Sequence, residues 1–262
     1  MQKYEKKSVL LQEILQKTKN DMKLALIGYG KMGKAIEAVA LERGHSVVAK
    51  IDNEEDWSRQ ASAMKECDVA LEFTTPTTAV ENIRRCLMMG LRTVVGTTGW
   101  YEQQPEMEAL CKTQGGALFV ASNFSIGMNI MMAMNRQLAS IMNQRPEYGV
   151  RIRETHHIHK LDAPSGTAIH LAKECIAGLE AKHDWQLVEE GSRVEEGILP
   201  VSAYREGENP GEHAVVYESE MDTLTIEHKA KSRKGLALGA VLAAEFLQGK
   251  QGVFGMREML GI

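Results

Sequence analysis

"MKLALIGYGKMGKAIEAVALERGHSVVAKID", residues 22–52, is the stretch on which the fold turns. "KLALIG" is an unbroken apolar run of strand length. "KMGKAIEAVALERG" carries apolar residues at the three- and four-residue spacing of a helix and closes at Gly44, a residue suited to a helix C-terminus. "HSVVAKI" reads as a second strand. Strand, helix and strand in so short a span predict two parallel strands joined by a right-handed crossover.

The alternation continues outward from this unit. "CDVALEF" is a third strand, "PTTAVENIRRCLMMG" a helix with proline in its first turn, and "RTVVG" a fourth strand. A polar helix over 102–113 precedes the strand "ALFVAS". This pattern predicts an α/β fold with an N-terminal Rossmann-type, doubly wound parallel sheet. After residue 124 the pattern changes. A methionine-rich helix (Met128, Met131, Met132, Met134, Met142) leads into the strand "YGVRIRET" and a helix over 165–181. Three strand-like stretches follow, "ILPVSAYRE", "HAVVYES" and "DTLTIEHKA", which predict a second α+β domain with an antiparallel or mixed sheet. The methionines are read as packing. A final helix, "LALGAVLAAEFLQG", is apolar on nearly all sides and is expected to end the chain by returning to the first domain. The expected organisation is an extension over 1–21, a dinucleotide-binding domain over 22–124 plus 236–262, and a substrate-binding and oligomerisation domain over 125–235.

Composition narrows the function classes. Of 262 residues, 44% are hydrophobic and 25% charged, ordinary for a globular protein with a sizeable core. The net charge of −4 offers no general attraction to nucleic acid or an anionic membrane, so an anion site must be local. No apolar run approaches the roughly 20 residues of a membrane span. Cys67, Cys86, Cys111 and Cys175 are scattered, with no C-x-x-C pair, which suits a reducing, cytoplasmic location and small core residues.

Residues Gly28, Tyr29, Gly30, Lys31, Met32 and Gly33 set three glycines in G-x-G-x-x-G spacing between the first strand and the first helix. In that context Gly28 allows a tight turn, Gly30 lets a pyrophosphate approach the backbone, and Gly33 lets the helix pack closely. The second strand ends at Asp52, placed to accept a hydrogen bond from an adenosine ribose and to disfavour a 2′-phosphate. NADH is therefore expected to be accepted, with NADPH left open. Two more turns close predicted strands: Gly96, Thr97 and Thr98, and Ala121, Ser122, Asn123 and Phe124. Their hydroxyls and backbone amides suit a nicotinamide carboxamide and ribose.

"ETHHIHKLDAPSGTA", residues 154–168, brings His156, His157, His159 and Lys160 to the end of a strand, directly before a helix that Ser165 caps. The amides of Gly166 and Thr167 at that helix start, beside a lysine, form a carboxylate trap. The histidines add groups fit for proton transfer. A metal is not expected: no cysteine lies nearby, H-E-x-x-H is absent, and Lys160 repels a cation.

This block, with "EFTTP", "VVGTTGW", "ASNFSIGMN", "REGENPGEHAVVYES" and "IEHKAKSRKGLALGAVLAAEFL" in the same order, resembles the bacterial dihydrodipicolinate (4-hydroxy-tetrahydrodipicolinate) reductases from residue 22 to the end. The resemblance implies NAD(P)H-dependent reduction of 4-hydroxy-tetrahydrodipicolinate to tetrahydrodipicolinate, with loss of water, in lysine and diaminopimelate biosynthesis. It implies His156 as acid–base residue and Lys160 as proton donor. His157, Lys160, Ser165, Gly166 and Thr167 would hold the cyclic dicarboxylate, and Phe73 would join the cofactor residues already named. It further implies use of NADH and NADPH without a metal, and a homotetramer built through the second domain's sheet. Two departures bear on the cofactor: the glycine loop is one residue shorter than the frequent G-x-x-G-x-M-G form, and no arginine follows Asp52. Three other readings stand beside this one, among them a relative of this family that acts on a different cyclic imine. Another amino-acid-related NAD(P) dehydrogenase would share the first domain without needing the histidine–lysine block, and a non-catalytic NAD(H)-sensing protein would bind cofactor without substrate-dependent oxidation.

Overall fold

The structure, a computed structural model, describes residues 21–262, so the expected extension lies, but for Asp21, outside the described residues. The described chain forms two compact units. One holds the residues up to Phe124 together with Leu236–Gly261, and the other holds Ser125–Gly235 and the terminal Ile262.

In the first unit β1 (Lys23–Ile27), α1 (Lys31–Glu42) and β2 (Ser46–Ile51) make the opening crossover. Two short helices, α2 (Glu54–Arg59) and α3 (Ala61–Met64), follow. Neither was expected, since helices of one or two turns show no readable periodicity. Then come β3 (Val69–Glu72), α4 (Pro76–Met88), β4 (Arg92–Val95), a 3-10 turn running into α5 (Gln104–Thr113), and β5 (Ala117–Val120).

The second unit opens with α6 (Ile126–Met142), β6 (Gly149–His156) and α7 (Gly166–Gly178). It continues through β7 (Asp184–Leu187), β8 (Ile198–Arg205), β9 (Glu212–Glu218) and β10 (Thr223–Lys229). Its sheet has the order β10-β9-β6-β8-β7, antiparallel across the first three strands and parallel across the last three. The sheet is mixed. β7 was not foreseen, because "DWQL" is short, polar and mostly exposed. Met128, Met131 and Met142 are buried with Ile152, Leu171, Val215 and Tyr217, a packed core under α6 and α7. Helix α7 stops three residues before the expected end, where Leu179 takes extended backbone.

The chain then returns to the first unit through α8 (Lys234–Phe246), β11 (Gly252–Phe254) and α9 (Met256–Leu260). Ala237, Ala240, Val241, Ala243 and Ala244 of α8 are buried, and Glu245 is held by Arg43 at 2.7 Å and His45 at 2.8 Å. The expectation that α8 is the last element of the chain is corrected here, since β11 and α9 follow it. β11 adds a sixth strand, pairing Gly252–Phe254 in parallel with Ala117–Phe119. Three residues carry no alternation pattern, so only the exposed edge of β5 identifies them as a strand. The completed parallel sheet runs β2-β1-β3-β4-β5-β11. Its order reverses at β1, the position at which such sheets open a ligand crevice beyond their C-terminal ends.

Candidate active site

The turns after β1, β2, β3, β4 and β5 all lie on that C-terminal edge. Gly28 has φ +90°, and a Cβ there would stand 2.2 Å from the Phe73 carbonyl oxygen. A Cβ on Gly33 would stand 2.3 Å from the Gly28 carbonyl oxygen, so any side chain would push α1 off the turn. Around Gly30, by contrast, a Cβ would meet nothing within 4 Å. Gly30 caps α1 without a side-chain bond, Lys31 and Lys34 are exposed in the first turn, Met32 is half-buried, and no acidic residue stands in that turn. Open amides with nearby cations fit a diphosphate.

Beside it lies a crevice of about 350 Å³, lined by Gly28, Gly30, Asp52, Trp57, Phe73 and Thr74 among others. Asp52 accepts the Tyr29 amide at 2.9 Å. Lys50 is ion-paired with Glu37 at 2.6 Å and donates to the Tyr29 hydroxyl, and Asn53 caps α2. The side chains of Lys50 and Asn53, on either side of Asp52 in sequence, are thus both engaged elsewhere. The other cofactor candidates follow along the same edge. The Phe73 ring packs so closely on Gly96 that a Cβ there would stand 2.1 Å from it. Thr97 is buried and accepts the Thr74 amide at 2.7 Å, while Thr98 is exposed. Ala121 bonds back to Val95, Ser122 is exposed, Asn123 is half-buried, and Phe124 packs 5.5 Å from the Phe73 ring.

In the second unit, strand alternation puts Glu154 and His156 on the buried face of β6. His156 Nδ1 lies 3.2 Å from Glu154 Oε2, a close contact that is not aligned as a hydrogen bond. A Cβ on Gly211, whose φ is +136°, would come 3.0 Å from His156 Nε2. His213 reaches the same carboxylate at 3.6 Å, and its ring meets that of His156 edge-on. Burial pushes the Glu154 carboxyl up, but the close approach of His156 and the hydrogen bonding of Ser165 outweigh it and bring the group down to about 2. Burial, aided by the neighbouring His156, depresses His213 to about 3, so it stays neutral. The donors of Glu154, His156 and His213 fall within 4.8 Å of one another, the spacing of a cation site. Arg205 already brings positive charge to within 3.4 Å of Glu154 Oε1.

Beyond β6 the loop keeps His157 half-buried and His159 exposed, the latter against Glu208 at 3.0 Å. Lys160 Nζ is held by both oxygens of Asp162, at 2.7 and 2.9 Å. Arg205 clamps this loop through the Lys160 and Asp162 carbonyls. Ser165 is buried: its amide donates to Glu154 at 3.0 Å, its hydroxyl caps α7 at Ala168, and His213 contacts that hydroxyl at 3.1 Å. Gly166 is exposed, with open space where a side chain would stand, and Thr167 is half-buried. Glu154, Arg205 and His213 were not foreseen. Only Glu154 had a readable signal, since it precedes His156 by two residues on a strand.

Two family sequence models cover most of the chain: "Dihydrodipicolinate reductase, N-terminus" matches residues 22–124, and "Dihydrodipicolinate reductase, C-terminus" matches 127–260. A protein of Christiangramia forsetii named 4-hydroxy-tetrahydrodipicolinate reductase is 42% identical over 239 residues, 91% of this chain and 98% of its own. A protein of the same name from Neisseria meningitidis serogroup C is 31% identical, covering 86% of this chain and 84% of its own. Among solved structures, a dipicolinate-bound dihydrodipicolinate reductase from Paenisporosarcina sp. TG-14 superposes with a TM-score of 0.75 at 23% identity, covering 91% of this chain and 98% of that one.

Proposed function

Because this chain belongs to the dihydrodipicolinate reductase family, we propose that it reduces 4-hydroxy-tetrahydrodipicolinate to tetrahydrodipicolinate, with loss of water, in lysine and diaminopimelate biosynthesis. The observation that supports this chemistry best is the end of β6. There His156, backed by the ionised Glu154, stands four residues before Lys160 and ahead of the open start of α7.

The substrate is a small cyclic imine dicarboxylate carrying a ring hydroxyl. Lys160, His157 and the Gly166–Thr167 amides hold its carboxylates, and this fixed orientation contributes much of the rate gain. Ser165 serves by capping the helix that presents those amides. With Nδ1 turned to Glu154, His156 exchanges protons at Nε2, assisting departure of the hydroxyl as water. A reduced nicotinamide dinucleotide bound along the first unit's crevice supplies the hydride. Lys160 Nζ then gives the proton that neutralises the ring. Gly28, Tyr29, Gly30, Lys31, Met32 and Gly33 bind the diphosphate, Asp52 the adenosine ribose, and Phe73, Gly96–Thr98 and Ala121–Phe124 the nicotinamide half. The carboxylate of Asp52 and the engaged Lys50 favour NADH over NADPH. The second unit's sheet, whose edge strand β10 is largely exposed, assembles a cytoplasmic homotetramer.

The decisive assay follows the loss of reduced-nicotinamide absorbance with NADH and NADPH separately, using substrate made fresh by the preceding synthase. Oxidation that depends on the synthase is the expected result. Cofactor binding without oxidation would overturn the enzymatic reading.

A further inference from the structure

At the end of β3, beneath the wall of the dinucleotide crevice, Glu72 is fully buried. Among the described residues no lysine, arginine or histidine pairs with it, and its Oε2 accepts no hydrogen bond. The Thr74 hydroxyl donates to Oε1, and the Thr97 hydroxyl and the Asn82 amide also reach the carboxyl. Thr97 accepts the Thr74 amide in return, so one side chain ties the turn after β3 to the turn after β4. From Thr74 a file of hydroxyls leads outward. Thr78 lies 3.0 Å from Thr74, Thr75 3.0 Å from Thr78, and Thr77 3.0 Å from Thr75, the last three all exposed. Thr74, Thr75, Thr78 and Asn82 line the crevice itself.

A lone buried carboxylate is costly to ionise, and burial raises the Glu72 carboxyl despite its hydrogen-bond donors. A dinucleotide brings diphosphate charge to the start of α1, on the same sheet edge, and an ionised Glu72 would repel it. Resting on the dinucleotide reading, we infer that Glu72 is a positioning residue that binds a proton when the diphosphate binds, received along the Thr75–Thr78–Thr74 hydroxyls. In that neutral form it holds the two turns in place. Its neighbours at the same level of the sheet, Ile27 and Val95, are apolar. Helix α4 faces it with Asn82 and with Cys86, whose buried thiol is pushed up and stays neutral. The crevice adds the carboxylates of Asp52 and Glu54, which a Glu72 variant leaves in place.

The sign follows by linkage. NADH affinity is highest at the acid end and falls as pH rises through the Glu72 value of the free protein, by up to about tenfold per pH unit. It levels off above the higher value of the complex. The test is calorimetric titration of NADH into the full chain in two buffers of different ionisation heat, from about pH 5.5 to about pH 9. NADH is used because the 2′-phosphate of NADPH itself titrates near a pKa of about 6. The expected result is uptake of up to one proton by the wild-type protein. Glu72→Gln should take up none, with affinity independent of pH and equal to the wild type at its acid plateau. A wild-type protein that binds NADH without proton uptake overturns the inference alone, as does a Glu72→Gln variant that keeps the uptake. A wild-type protein that binds no NADH overturns the dinucleotide reading and this inference with it.

Discussion

At His156 one ring nitrogen faces a buried carboxylate and the other faces the backbone of Gly211, so the ring has little freedom to turn. His156→Ala should lower kcat by about 10²- to 10⁴-fold, the range for a positioned acid or base. In the mechanism proposed above, Lys160 combines charge for binding with a proton for the ring. Lys160→Ala should therefore raise KM and cut kcat by at least about 10²-fold, and near-normal turnover would remove it from the chemistry. In the proposed reading, Asp52 bears on cofactor binding and choice and takes no part in the chemistry. Asp52→Ser should raise the KM for NADH several-fold and narrow the NADH-to-NADPH ratio of kcat/KM. An unchanged ratio would place the ribose elsewhere.

Among the elements, α7 shows how one cap serves two ends. Ser165 satisfies the first turn of the helix while its amide anchors Glu154 on β6. Ser165→Ala should cost about 1 kcal/mol for the lost cap, seen as a lower Tm. A larger loss would reveal the contact with His213. The limits of sequence reading lie at this same place. Period two along β6 makes Glu154 and His156 readable as one face, and the parallel βαβ run and the glycine turn are local patterns. The partners of that face come from strand register instead. Glu154 stands opposite His213 across the antiparallel pair, and His156 opposite Arg205 across the parallel one. No local pattern announces that a histidine 59 positions onward, or an arginine 49 onward, will arrive there. β11 was missed for the same reason, since its identity lies in the edge it completes.

For the molecule as a whole, the buried Glu154–His156–His213 cluster sets an acid limit. His213 titrates at about 3 when folded, against about 6.5 for an ordinary imidazole, so its contribution to stability is whole above pH 6.5 and falls as pH drops towards 3. Glu154, at about 2 when folded, adds a second loss below about pH 4.3. The Tm should therefore fall steadily between these limits, and His213→Gln should flatten the upper part of the fall. An unaltered profile would assign the acid sensitivity to other groups. The strand supplied by Gly252–Phe254 has a consequence for how the protein is made. All of the second unit but the terminal Ile262 is one continuous stretch, Ser125–Gly235, available once residue 235 has left the ribosome, whereas the first must wait for residues beyond 235 to cover β5 and seat α8. A nascent chain stalled before Gly252 carries a bare strand edge and an unfinished dinucleotide unit beside a finished neighbour. The order of synthesis and the order of folding are thus reversed in this chain: the half that emerges first is the last to close.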